Sequence, residues 1–121
     1  MKKEILGHLA KSNANWPDAL PVSAATDYPI SNEFEGGAFL PLRDYKNLEF
    51  VVVKRFEGAD APPYQVRFQR IVERLNDDTK YCVILEKIDV PSEHIYGVLL
   101  SIWRTYEPHI DQFSNQPTNQ N

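Results

Sequence analysis

The sequence predicts an α+β fold, in which a mainly antiparallel four-stranded sheet is packed by a C-terminal helix. Three observations carry this reading. Leu48-Glu49-Phe50-Val51-Val52-Val53-Lys54-Arg55-Phe56 is β-branched at its centre and apolar on both faces there, as a strand inside a sheet is. Residues 92–106 hold two apolar stripes at helical spacing. Asn76-Asp77-Asp78-Thr79, rich in turn formers, separates two strand-like runs.

Taken in order, residues 2–12 make a short helix with Ile5, Leu6 and Leu9 on one side. Gly7 and the short length leave it dependent on a surface to lie against. Residues 12–32 read as an irregular, Pro-rich arm, because Pro17, Pro21 and Pro29 exclude a long helix and neither a 3.6 nor a 2 period survives. Within the arm, Asn15-Trp16-Pro17-Asp18-Ala19-Leu20 has the form of one capped helical turn. So long a stretch without regular structure, in a compact domain, points toward function.

The first strand falls near 33–42, and its Gly36-Gly37 pair marks a bulge or a close backbone approach. A polar connection of hairpin length leads to the second strand, near 48–57. The next segment reads two ways. Tyr64, Val66 and Phe68 alternate with polar residues as in a strand, while Tyr64, Phe68, Ile71, Val72 and Leu75 also fit a helical stripe opened by Pro62 and Pro63. The Val, Ile, Phe and Tyr content and the following turn favour a strand at 64–75 with a bulge near Gln69. The alternative is an α/β fold with a helix at 62–76. The fourth strand falls near 80–88.

The final helix, 92–106, has Ser92 or Asp89 as candidate caps. Ile95, Val98, Leu99, Ile102 and Tyr106 form one stripe, and Tyr96, Leu100 and Trp103 form a second beside it. Residues 1–113 then make a single domain, and 114–121 is a polar tail with no means of packing.

Composition narrows the function. The 121 residues carry 13 Lys and Arg against 17 Asp and Glu, a net charge of −4 that does not attract duplex DNA or an anionic membrane. No run approaches the roughly 18–20 apolar residues a membrane span needs. The acidic excess is local: Asp18, Asp27, Glu33 and Glu35 fall between Lys11 and Arg43, where no basic residue stands. A lone cysteine, Cys82, excludes an intrachain disulfide and suggests a reducing, cytoplasmic setting. Its β-branched surroundings predict a buried core thiol.

No motif assigns a catalytic residue, a metal site or a cofactor. His8, His94 and His109 lack metal-ligand spacing, and Glu107, His109 and Asp111 read as a solvated helix end. Ser92, Glu93 and His94 are neighbours that do not face one another, and Gly36-Gly37 lacks the Lys of a phosphate loop.

Three functional readings follow. The leading one is a small, soluble, non-enzymatic protein-binding module, of the inhibitor, immunity or adaptor type, expected to form a homodimer. Trp16, Tyr28, Tyr96, Leu100 and Trp103 are its partner-binding candidates, since Trp and Tyr anchor interfaces. Intrachain cover by the arm and the N-terminal helix would explain the same helix residues. The second reading is single-stranded nucleic-acid binding by Tyr64, Arg67, Phe68 and Arg70 on an exposed sheet face. The third is a small-molecule binder or enzyme with a pocket between sheet and arm.

Overall fold

The computed structural model describes residues 1–12, 19–73 and 80–114. Helix α1 (Lys2–Ser12) is followed by strands β1 (Thr26–Tyr28), β2 (Phe34–Pro41), β3 (Leu48–Arg55), β4 (Tyr64–Glu73) and β5 (Lys80–Val90). A 3-10 turn, Ser92–His94, leads into α2 (Ile95–Tyr106), and a second turn, Glu107–His109, into α3 (Ile110–Ser114). The fold is α+β, with an antiparallel sheet packed by an N-terminal and a C-terminal helix.

Among the described residues the sheet has the strand order β1-β2-β3-β4-β5, and every neighbouring pair is antiparallel. Tyr64–Glu73 is therefore a strand, not a helix. Its fifth companion was not expected: Thr26, Asp27 and Tyr28, assigned to the irregular arm, pair with Phe39, Ala38 and Gly37. The arm is also anchored ahead of that strand. Leu20 and Val22 are buried in the core, and Val22 forms an isolated bridge with Leu42. Trp16 and the turn at 76–79 lie outside the described residues.

One face of the sheet carries the main core. Alternate residues Leu40, Phe50, Val66 and Phe68 meet Ile5 and Leu9 of α1 and Ile95, Leu99 and Ile102 of α2. Phe68 links the layers, its ring 4.8 Å from Phe50 and 5.0 Å from Tyr106. The marginal N-terminal helix is held by polar contacts as well. Tyr64 Oη donates to Glu4 Oε1 at 2.7 Å, and Lys54 Nζ donates to the same oxygen at 3.1 Å.

Two irregularities shape the sheet. Phe34 pairs with Arg55 and Gly36 with Lys54, so Glu35 is an extra residue in β2. Gly37 then lies so close to β3 that an added Cβ would collide with the Val52 carbonyl oxygen, and only glycine fits there. Farther along, Phe68 pairs with Glu86 and Gln69 with Ile84, which leaves Leu85 as the extra residue on β5. The shift lies at Gln69, but the added residue belongs to the opposite strand.

The C-terminal helix opens without a side-chain cap. Pro91 occupies the cap position of the turn at Ser92–His94, and Asp89 instead accepts from Gln65 and pairs with Arg55.

Candidate functional site

The face of the sheet turned away from α1 and α2 is built by the other set of alternating residues. Phe34, Val51 and Val53 are buried there, with Tyr28 and Phe39 packed against them. This explains why 48–56 reads as apolar on both faces: each side of β3 has its own cover. Among the described residues no helix supplies that second cover. Arg67 and Arg55 instead lay their guanidinium carbons 5.1 Å and 5.3 Å from the centroid of the Phe34 ring.

A polar chain fixes those arginines. Arg67 Nε donates to Gln65 Oε1 at 2.7 Å, Gln65 Nε2 donates to Asp89 Oδ1 at 3.0 Å, and Arg55 pairs with the same Asp89 oxygen at 2.9 Å. The hydrogen bond from Gln65 leads, with Arg55 beside it, in holding the Asp89 carboxyl below its ordinary value.

Toward the other end of this face lies a hollow of about 330 Å³, bordered by Thr26 of the arm strand, Phe39, Pro41, Glu49, Ile71 and Cys82. Glu49 is the acidic group on its border. The residue is only 7% exposed, and Gln69, 4% exposed, donates from Nε2 to its Oε2 at 2.6 Å. The same Gln69 nitrogen is 3.3 Å from Cys82 Sγ. Burial pushes the Glu49 carboxyl above its usual value, with the Gln69 hydrogen bond opposing the shift in part. Cys82 is displaced upward too, first by burial of the sulfur and then by the Glu49 charge. The cysteine residue as a whole is exposed, on the edge strand, and does not occupy the core position its sequence context predicts.

Strand β5 closes the described sheet on this side. It is 11 residues long and largely exposed, and Tyr81, Ile84 and Ile88 are each more than a third accessible. Pairing with β4 places Lys80, Cys82, Ile84, Lys87 and Asp89 on the open face, and Tyr81, Val83, Glu86 and Ile88 on the helix face.

The candidates taken from the sequence are redistributed by this geometry. Tyr96 and Trp103, each 5% exposed, and the half-buried Leu100 pack into the chain's own core. Trp103 lies 5.9 Å from the ring of Tyr45. Both apolar stripes of α2 thus pack against the chain's own core, Val98, Leu100 and Tyr106 less completely than the rest. Tyr28 is half-buried beside Phe39, 5.0 Å between ring centroids, and receives a 3.4 Å hydrogen bond from Arg67.

The proposed nucleic-acid set divides between the two faces. Tyr64 and Phe68 are core residues on the helix side, with no ring face open to a base, and Arg70 shares their side of β4. Arg67 stands on the other face, committed to Phe34 and Gln65. Strand alternation is the reason: residues 64, 68 and 70 share one parity and 67 has the other.

Sequence reasoning missed Glu49, Gln69 and Ile84. The first two are polar residues in strands otherwise built for burial, which is the signal the sequence offered; their direct opposition is set by the register of β3 and β4. Among the described residues no three His, Cys, Asp or Glu side chains gather as metal ligands, and no helix is long and apolar enough to cross a membrane. Comparison with protein-family models, curated proteins and solved structures finds no match to this chain.

Proposed function

We propose that the chain is a protein-binding module that takes up an extended strand along the edge of β5, and that its occupant is a second copy of the chain. The observation that carries the reading is the edge itself. Eleven residues of strand end the described sheet with Tyr81, Ile84 and Ile88 exposed. Such an edge is a template for main-chain pairing, with side chains setting specificity.

The β5 bulge supports a second copy as the occupant. In an antiparallel pair, opposed residues must share a face. A two-fold axis between Ile84 and Leu85 meets that condition because the extra residue changes the alternation there. It sets Lys80 opposite Asp89 of the second copy, Tyr81 opposite Ile88, Cys82 opposite Lys87 and Val83 opposite Glu86. Opposite charges meet at both ends, and no like charges are opposed. A cytoplasmic setting belongs to the same reading, because a chain with one cysteine does not rely on an intrachain disulfide.

The test is mass by light scattering across a concentration series. A wild-type dimer is expected that Ile84→Lys, at the axis, weakens at least about tenfold. Tyr81→Cys with Ile88→Cys, in a Cys82→Ser background, should cross-link two chains under oxidation. A wild type that stays monomeric at about 1 mM removes the second copy as occupant. A dimer that Ile84→Lys leaves intact and that the cysteine pair does not cross-link moves the interface away from β5.

A further inference from the structure

The hollow beside Glu49 lies on the open face of one chain, and Lys80 and Cys82 of β5 stand on its border. We propose that it binds a small organic monocation, a primary amine carried on a compact apolar body.

Glu49 is a nearly buried carboxylate at the margin of an apolar hollow, and only its Oε2 is engaged, by the Gln69 amide. The ion pairs formed among the described residues leave it without a cation. A buried carboxylate with one hydrogen bond and no counter-charge is costly, so a ligand supplying an ammonium gains where a neutral ligand does not. Cys82 does not compete for that ammonium, since a neutral thiol is a weak acceptor.

The walls define the rest of the ligand. Phe39, Pro41 and Ile71 offer apolar surface, and the volume of about 330 Å³ suits a single ring or a short branched chain. Lys80 also borders the hollow, its ammonium 3.4 Å from Glu73 and largely in solvent. A positive group at the rim limits the ligand to one charge and disfavours diamines.

The test uses benzylamine, with benzyl alcohol and benzoate as neutral and anionic matches of the same shape, and follows backbone amide shifts of the whole chain. Benzylamine is expected to produce saturable shifts at Glu49, Gln69, Ile71 and Cys82, and to bind at least about tenfold more tightly than either match. Glu49→Gln should abolish the preference for the amine over the alcohol. Ile71→Trp, which fills the hollow and keeps Glu49, should abolish binding of all three, and it decides the matter if Glu49→Gln does not fold. Equal binding of amine and alcohol, unchanged amine binding in either folded variant, or no saturable shift at these amides by about 10 mM benzylamine would overturn the proposal.

Discussion

Gln69 stands directly opposite Glu49 in the pairing of β3 with β4, and its amide donates to the Glu49 carboxylate at 2.6 Å. The two are among the least exposed polar residues of the sheet, on the face turned away from α1 and α2. One hydrogen bond satisfies part of a carboxylate that water barely reaches.

The first prediction concerns this pair and pH. Burial raises the Glu49 carboxyl above the usual glutamate value of 4.5. Between those two values the folded chain holds more protons than the unfolded one, so stability falls as pH rises through the window. Glu49→Gln has no charge to bury, and should lose less stability than the wild type as pH rises from the usual glutamate value toward neutrality. Urea midpoints across that range measure it; parallel curves for the two proteins would count against the assignment.

A second prediction has the opposite sign. The hydroxyl of Tyr64, followed by Lys54, holds Glu4 below its usual value, while His8 Nε2 lies 3.2 Å from the same hydroxyl. Stability from this contact is present above the unfolded glutamate value and is lost as pH falls through the depressed one. Tyr64→Phe should cost about 1 kcal/mol at neutral pH, since Glu4 remains partly open to water. The variant should also lose less with acid, and a thermal midpoint series on the acid side is the measurement.

Trp103 supplies the third. Its burial against Tyr45 makes it a core side chain, so Trp103→Ala should remove about 3–5 kcal/mol of folding stability. The effect should appear in chemical denaturation of the monomer. A variant as stable as the wild type but altered in oligomeric state would return Trp103 to an interface.

Much of the fold was legible because it is written in short-range pattern. The β-branched centre of residues 48–55 and the helical spacing of 95–106 each hold within one element. The strand at 64–73 was harder, since Tyr64, Phe68 and Val72 satisfy both periods and Ile71 fits only the helical one. The pairing of β4 with both β3 and β5 decides it. The three-residue strand at Thr26–Tyr28 left no trace in periodicity, being too short to alternate and flanked by proline.

The candidate site was less legible, because a list of residue types does not say which face each one takes. Arg67 and Phe68 are neighbours in the chain and stand on opposite sides of the sheet, one over Phe34 and the other in the core. Tyr96 and Trp103 have the composition of an interface, and only the packing of the whole chain shows them covered.

The sequence by itself determined the class of fold, the central strands and both helices, since helix period, strand alternation and turn chemistry act over a few residues. Tertiary structure alone decided what is covered and what is open. It turned Thr26–Tyr28 of the arm into a strand, buried the aromatic stripe of α2, brought Cys82 to the edge and set Glu49 against Gln69. Those outcomes depend on surfaces far apart in the chain meeting in space, and burial is a property of the meeting rather than of either segment.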